Sequence, residues 1–403
     1  MLLTVSKRLE FSASRRLFDP KLTPAENVSR FGQESNARYG TGRNYVVHFV
    51  FTGQVNTETG MLMNIGEIKA RVGEVLNGGF DHKFLNEDNA AFAHTAPTSD
   101  NVARELFRLS APLFHDSDAR LVACHLSESE ERSATVYASG ACDANYWFEF
   151  SAARRTMSPH LGRDENEQLF GTAASPFGHG HNYRARVTLS SDGSQAETGD
   201  RNVKCLLQQL RDRLDHKNLN EEVPALQDRP ITTELLSSFV YEQLASAGVT
   251  PDHVRLHERD DFFAEHWGGD RYFLGMRRSF NAAHRLHASA LSDVANTELF
   301  GKCNNPRGHG HTYGVEATIG GTLDERSGTL YSFAALDRAL NETLKPWNDK
   351  HLDLEVSEFR DTASTGENIV SVLWEKVDRA LEGRLVRLRL AETANNRFTL
   401  RPI

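Results

Sequence analysis

The sequence predicts an α+β fold in which three tandem ββααββ units form a pseudo-trimeric antiparallel β-barrel with helices on one face of the sheet. Two observations lead to this prediction. The same order of motifs recurs three times along the 403 residues, which are too many for one ordinary hydrophobic core. Each recurrence also combines alternating, strand-like segments with amphipathic, helix-like segments. Because one such unit leaves its edge strands unpaired, three units can join their edges into a single barrel.

The repeats are defined by two motifs in the first half of each unit. An aromatic residue followed by small residues and a basic end occurs at Phe11–Arg16, Phe150–Arg155 and Phe280–Arg285. A Gly-x-Gly-x-x-Tyr motif follows at Gly40–Tyr45, Gly178–Tyr183 and Gly308–Tyr313. We therefore divide the chain into copy one (residues 1–140), copy two (141–269) and copy three (270–403), with breaks at small residues.

Copy three shows the order of elements most clearly. Alternating segments predict two long strands, at roughly 271–286 and 310–323. Two helical patterns follow at 333–345 and 366–382, and the second starts with a capping Thr365 and an early acid, Glu367. Two more strands, at 384–392 and 396–402, complete the unit. The first of these two closing strands ends in a glutamate in every copy: Glu128, Glu258 and Glu392.

Composition and charge exclude several classes of protein. Hydrophobic residues make up 39% of the chain and charged residues 25%, as in globular proteins. A net charge of -9 argues against general nucleic-acid binding. No segment resembles a signal peptide or a membrane span, and four scattered cysteines are too few for a disulfide framework. We therefore expect a cytoplasmic protein without a nucleic-acid or membrane partner.

Three histidines in copy three predict a zinc site. His309 and His311 lie two residues apart in a predicted strand, so their imidazoles project to the same face. His284, in the preceding strand, can supply a third imidazole, and three imidazoles with an open fourth position are the ligands of a catalytic zinc ion. Cys303 lies just upstream and is a candidate base that is not a ligand. A His-x-His pair alone is weak evidence for a metal site, but here the motifs that surround the pair recur elsewhere in the chain.

Together, these motifs resemble the 6-pyruvoyl-tetrahydropterin synthase and 6-carboxytetrahydropterin synthase family. The resemblance rests on Phe280–Arg285, Gly301–Pro306, Gly308–Tyr313 and Ala391–Asn396, and it fades from copy three to copy one. It implies the tunnelling fold, in which three ββααββ subunits form a barrel and two barrels usually stack head to head. The chain would then be a covalently linked trimer, and a homodimer of pseudo-trimers would correspond to the family's hexamer.

The resemblance also implies roles for individual residues of copy three. The zinc ligands would be His284, His309 and His311, and the catalytic base would be Cys303. Glu392 would anchor the pterin ring of the substrate, and we add Thr365 as a second substrate-binding residue.

The family also uses an Asp-His pair that comes from a neighbouring subunit. Two such pairs are present, Asp81-His82 in copy one and Asp215-His216 in copy two. Copy three has Asn348-Asp349 at this position, and His351 is at the wrong parity to replace the pair simply. We therefore expect one composite site per chain, completed by another copy. The sequence does not decide which pair serves it; we favour Asp215-His216, because copy two is the less degraded neighbour, and the other pair would then be a relic or serve a second chain.

Copies one and two lack parts of the metal site. Copy two retains His179 and His181 but has Arg154 at the third ligand position and Ala173 at the cysteine position. The ligand positions of copy one hold Arg15, Thr41 and Arg43, with Glu34 near the cysteine position. A guanidinium repels a dication, so we expect zinc in copy three alone, although His160 could substitute in copy two. Arg15 and Arg154 could instead fill the vacant metal pockets with a fixed positive charge.

The resemblance implies a small-molecule pterin substrate, 7,8-dihydroneopterin triphosphate. The spacing between Cys303 and His309 resembles that of the pyruvoyl-type members, which eliminate triphosphate to give 6-pyruvoyl-tetrahydropterin. The alternatives are a 6-carboxytetrahydropterin synthase of the queuosine type and a non-catalytic module that binds pterins or purines. Complementarity favours an enzyme, since each part that is missing from one copy survives in another.

Overall fold

The computed structural model of the protein describes residues 1–191 and 200–403. Its long strands form a closed antiparallel barrel of 12 strands, to which each copy contributes four. The predicted α+β class and the pseudo-trimeric barrel are therefore confirmed. Among the described residues, no helix combines the length and the apolar character needed to cross a membrane.

The three copies have the same order of elements, except that, in the part of the chain that the structure describes, copy two has no counterpart of the short helices at Leu85–Asp88 and Leu352–Glu355. Copy one contains β1 (Leu2–Arg15), α1 (Pro24–Phe31), β2 (Thr41–Thr52), α2 (Ile65–Gly79), β3 (Lys83–Phe84), α3 (Leu85–Asp88), α4 (Ser99–Ser110), β4 (Arg120–Ser127) and β5 (Arg132–Tyr137). Copy two contains β6 (Cys142–Arg154), α5 (Arg163–Phe170), β7 (His179–Ser191), α6 (Asp200–Leu214), β8 (Lys217–Asn218), α7 (Thr233–Ser246), β9 (His253–Arg259) and β10 (Phe262–His266). Copy three contains β11 (Tyr272–His284), α8 (Asp293–Phe300), β12 (His309–Gly321), α9 (Phe333–Leu344), β13 (Lys350–His351), α10 (Leu352–Glu355), α11 (Gly366–Ala380), β14 (Leu385–Thr393) and β15 (Asn396–Arg401).

The barrel closes at three seams between copies, each an antiparallel strand pair. β5 pairs with β6, from Arg132 opposite Tyr146 to Val136 opposite Cys142. β10 pairs with β11. The last strand pairs with the first, so that β15 joins β1 from Leu2 opposite Arg401 to Lys7 opposite Asn396. Copy three therefore has copy two on one side and copy one on the other.

Strand alternation separates a helix-covered face from a polar barrel interior. On β14, Leu388 and Leu390 are buried in the core with Leu373 of α11, whereas Arg387 and Arg389 alternate with them. One hydrophobic cluster runs through copies one and three, and most of the copy-two core forms a second cluster. Packing is therefore continuous across the β15–β1 seam.

The predicted elements of copy three are present, but two of its helices were not predicted, α8 and the four-residue α10. Helix α8 lies between β11 and β12 and has only eight residues, too few to show a clear periodic pattern in the sequence. Its N-cap Ser292 accepts a hydrogen bond from the amide of Ala295. α1 and α5 are its counterparts in the other copies, and in copy three the turn that follows carries Cys303.

Candidate metal centre and active site

The structure brings the three predicted ligands of copy three together. His284 ends β11 and lies directly opposite His309, the first residue of β12. Their Nε2 atoms are 3.2 Å apart. His311 lies two residues along the same strand, and one nitrogen from each of the three rings falls within 4.8 Å of the others. A strand end and its partner therefore create a cluster of three imidazoles, as the period of two predicts.

The donor set fits a divalent metal ion. His284 is fully buried, and its Nδ1 donates to the carbonyl of Ser364 at 2.9 Å, which leaves the Nε2 lone pair for a ligand. The Nε2 of His311 is buried without a hydrogen-bond partner among the described residues. Burial lowers the pKa of His309 to about 4, so this imidazole is neutral and can ligate near pH 7.

A carboxylate faces the three rings. Glu392 Oε1 lies 3.7 Å from Nε2 of His284 and 3.8 Å from Nε2 of His311. The other oxygen of Glu392 accepts a hydrogen bond from Asn396 at 3.1 Å. Lone pairs and negative charge therefore converge on one point, and a bound dication would balance them.

Cys303 is close enough to Glu392 for their charges to interact. Burial, followed by the negative charge of Glu392, raises the pKa of the Cys303 thiol, and nearby Lys302 opposes this effect. The protein charges alone therefore favour the neutral thiol. A metal ion bound near Glu392 would offset the charge of Glu392 and would favour the thiolate of Cys303.

Copy one forms a wall of the copy-three site, across the seam where β15 meets β1. Thr365 Oγ1 donates to the carbonyl of Gly60 at 2.6 Å, and Glu367 Oε1 accepts from the amide of Leu62 at 2.9 Å. Asn64 Nδ2 donates to the carbonyl of Leu299, in the helix that precedes Cys303, at 3.0 Å. The hydroxyl proton of Thr365 is thus already used at the seam.

The sequence contained a signal for this wall that we did not use. Gly60-Met61-Leu62 in copy one corresponds to Gly328-Thr329-Leu330 in copy three, and both glycines have positive φ, at 71° and 70°. At Gly60 a Cβ atom would collide with the side chain of Asn368, and together with the positive φ this contact favours glycine. Glu367, which the sequence indicated only as a helix-capping acid, is the acceptor that holds the neighbouring copy.

Both Asp-His pairs lie beside the first strand of their own copy. Asp81 accepts from the amide of Ser12 at 2.9 Å and from His82 Nδ1 at 2.9 Å. Asp215 makes the equivalent bonds in copy two, to Ser151 at 2.8 Å and to His216 at 2.9 Å. Both imidazoles are more than four-fifths exposed, and among the described residues neither pair forms a hydrogen bond with Cys303.

The corresponding residues of copy three keep the backbone role of this pair and lose its imidazole. Asn348 Oδ1 accepts from the amide of Asn281 at 2.9 Å, as the aspartates do in the other copies. Asp349 retains the positive φ of His82 and His216. The first residue of the pair therefore has a structural function that does not require the imidazole.

Copy two carries an arginine where copy three has its first ligand. Arg154 is buried and donates through Nη2 to Glu258 and, at 3.2 Å, to Thr233. His181 Nε2 approaches Glu258 to 3.0 Å. Glu258, which the sequence did not indicate as a ligand, could still form a metal-binding set with His179 and His181, because their ligand atoms lie within 4.8 Å. The guanidinium on the same carboxylate opposes a dication there.

Copy one closes its equivalent site with ion pairs. Arg15 is buried and its Nη2 lies 2.9 Å from Glu128, which also accepts from Ser99 at 2.6 Å. Glu34, near the cysteine position, contacts both Arg15 and Arg43. The cationic and anionic groups of this site therefore neutralise one another.

Comparison with known proteins gives a separate match for each of the three copies. The family model described as 6-pyruvoyl tetrahydropterin synthase matches three times, over residues 4–139, 145–269 and 274–402. The chain belongs to this family. It is accordingly a 6-pyruvoyl tetrahydropterin synthase-like lyase that acts on a small molecule, in a family whose members are metal-dependent.

Individual relatives of the family align with about one copy each. The human 6-pyruvoyl tetrahydrobiopterin synthase is 42% identical over 125 residues, which cover 30% of this chain and 86% of the relative. The Drosophila melanogaster enzyme of the same name is 39% identical over 132 residues, or 32% of this chain and 79% of the relative. The solved structure of the Caenorhabditis elegans 6-pyruvoyl tetrahydropterin synthase is 36% identical and covers 33% of this chain and 96% of its own, with a TM-score of 0.32.

Proposed function

We propose that the protein is a zinc-dependent lyase that converts 7,8-dihydroneopterin triphosphate into 6-pyruvoyl-tetrahydropterin with release of triphosphate, at one composite site per chain. The observation that carries this proposal is the copy-three cluster of His284, His309 and His311, which faces Glu392. The names of the curated relatives support the pyruvoyl-type product over the 6-carboxy product. The units 1–140, 141–269 and 270–403 are proposed as its three structural repeats.

Each copy-three residue has a defined part in the proposed reaction. Bound zinc would act as a Lewis acid on the oxygens of the substrate side chain. Cys303 would accept the proton from the adjacent carbon, and Glu392 would accept hydrogen bonds from the amidine-like edge of the pterin. Lys302, whose charge acts on both Cys303 and His309, offers a cation for the triphosphate.

The strand pairing supports Asp81-His82 as the proton relay, in place of the Asp215-His216 pair that we favoured from the sequence. β3, which follows His82, pairs with Ala13 and Ser14 of β1, the strand that joins copy three. Asp215-His216 stands instead beside β6, the strand that joins copy one. Copy one also supplies the wall at Gly60 and Leu62. We therefore assign Asp81-His82 to the copy-three site.

Turnover by a cysteine variant tests the assignment of the base. Cys303→Ala should lower the turnover of 7,8-dihydroneopterin triphosphate by about 10²- to 10⁴-fold, the usual contribution of a positioned general base, while zinc stays bound. Cys205→Ala, at an exposed cysteine, is the matched control and should leave turnover unchanged. Full activity of the Cys303 variant would refute the assignment of the base.

Product analysis decides between the two enzymatic outcomes. Incubation with 7,8-dihydroneopterin triphosphate should release inorganic triphosphate and 6-pyruvoyl-tetrahydropterin. Release of acetaldehyde would instead identify the 6-carboxy reaction, and tight binding without turnover would identify a pterin-binding module. A homodimer of pseudo-trimers and a cytoplasmic location remain predictions.

A further inference from the structure

A cavity of about 340 Å³ occupies, in copy two, the position that the histidine cluster has in copy three. Its lining includes Arg154, Ala173, His179 and Glu258, the counterparts of His284, Cys303, His309 and Glu392. This volume falls within the range of small-molecule sites. Copy two has therefore lost a metal ligand and the thiol and has kept a pocket.

The two carboxylates of the cavity already have donors from the protein. Glu258 contacts Arg154, Thr233 and His181. Glu234 accepts from the amide of Leu330 at 3.0 Å and from Thr329 Oγ1 at 2.6 Å. These acids therefore do not require a donor-rich or cationic ligand.

Arg154, in contrast, keeps donors that nothing satisfies. It is buried, it lines the cavity, and its Nε and Nη1 have no hydrogen-bond partner among the described residues. Buried guanidinium donors without partners are costly, and an anionic acceptor such as a carboxylate removes that cost. His179 beside it also has a buried ring nitrogen without a partner. The polar end of the cavity is thus suited to an anion.

Aromatic side chains from two copies line the cavity, together with hydroxyl residues such as Thr156 and Ser332 and with Arg259. Phe170 and Phe262 belong to copy two, and Tyr331 and Phe333 belong to copy three. Phe262 and Phe333 meet edge to face across the seam, with ring centroids 4.9 Å apart. Aromatic walls of this kind favour a flat ring.

We propose that this cavity is a second, metal-free binding site, which holds a planar aromatic ligand through an anionic group on Arg154. The site binds without turnover, because Ala173 replaces the thiol and Arg154 replaces the ligand that a catalytic metal would need. The proposal does not depend on the activity of copy three. It predicts that each chain has two small-molecule sites of different chemistry.

Titration with 2-naphthoate, a flat aromatic carboxylate, tests the proposal, and 2-naphthamide is the neutral probe of the same shape. EDTA-treated full-length protein should bind one equivalent of naphthoate. It should prefer naphthoate over the amide by about ten- to hundredfold, as expected for a hydrogen bond to a charged group. Equal affinity for the two probes, or no binding, would overturn the proposal. Binding that requires added zinc would assign the cavity to a metal site at His179, His181 and Glu258 instead.

Two matched variants place the probe in copy two. Ala173→Phe fills the cavity without changing its charge and should abolish naphthoate binding, while zinc content and turnover at copy three stay unchanged. Those two readouts also show that the variant is folded. Cys303→Phe fills the equivalent position in copy three and should leave naphthoate binding intact. Naphthoate binding that survives Ala173→Phe and disappears in Cys303→Phe would contradict the proposal.

Discussion

Copies three and two place the same kinds of groups on the same strands, yet their glutamates have different partners. In copy three, Glu392 stands 3.7 Å and 3.8 Å from two imidazole nitrogens. In copy two, Glu258 is held by the Arg154 guanidinium, and His181 lies 3.0 Å from it. The glutamate of copy two is thus paired with a guanidinium, whereas the glutamate of copy three faces imidazoles. The difference teaches that an arginine at the position of His284 can supply, from within the protein, a positive charge that copy three would take from a bound metal ion.

The largest expected effect is the difference in turnover between two variants, one that removes a proposed metal ligand of copy three and one that removes its counterpart in copy two. His309→Ala should lower turnover by about a thousandfold or more, because a metal Lewis acid supplies several kcal/mol to the transition state. His179→Ala, at the same strand position of copy two, should leave turnover within about twofold, since that copy has no part in the proposed reaction. Steady-state turnover of 7,8-dihydroneopterin triphosphate measures both variants. Equal losses of turnover in the two variants would contradict the proposed difference between the copies.

The two Asp-His pairs give the next largest effect. We expect His82→Ala to lower turnover by about a hundredfold, as for a lost general acid or base, and His216→Ala to have little effect. Single-turnover kinetics, with zinc content measured in parallel, separate loss of proton transfer from loss of metal. The reverse pattern would restore the sequence-based preference for Asp215-His216.

The internal ion pair of copy two should contribute to the free energy of unfolding. Arg154→Met leaves Glu258 buried without its cation, which should cost about 3 kcal/mol of the free energy of unfolding. Replacing both partners, in Arg154→Met with Glu258→Leu, should recover most of that loss because no buried charge remains. Urea denaturation measures the free energy of unfolding of both variants. A double variant as unstable as the single one would show that the charge of Glu258 is not the cause.

The smallest effect concerns pH and the contact between copies three and one. Burial raises the pKa of Glu367 to about 7, above its ordinary value of 4.5. A carboxyl group with a raised folded-state pKa stabilises the fold most below pH 4.5, and this contribution is lost as pH rises through 7. Glu367→Gln keeps the acceptor for Leu62 and cannot ionise. Its advantage in unfolding free energy over the natural chain should therefore grow by on the order of 2 kcal/mol between pH 5 and pH 8. If the unfolding free energies of the two proteins changed in parallel with pH, the raised pKa assigned to Glu367 would be wrong.

The sequence was sufficient to predict the fold and the clustering of the three histidines in copy three. The threefold recurrence of motifs predicted a barrel of three units, and the spacing of His309 and His311 predicted two rings on one face. Both depend on local periodicity, which a sequence displays directly.

The sequence was not sufficient to predict the relations between copies. The match between Gly60–Leu62 and Gly328–Leu330 indicates such a wall, but which site Gly60 and Leu62 close depends on which strands meet at a seam. Glu258 as a possible third ligand was missed for the same reason, because it lies on β9, far along the chain from His179 and His181. The partners of Thr365 and Glu367 likewise emerge only from tertiary structure.

Metal content per chain tests the central claim most directly. After loading with zinc and removal of excess metal, elemental analysis should find one zinc per chain, and His309→Ala should reduce this to none while His179→Ala retains one. Two or three zinc ions per chain would contradict the account, because the arginine-containing copies would then bind metal as well. No zinc at all would contradict it equally, because the histidine cluster of copy three would then have another purpose.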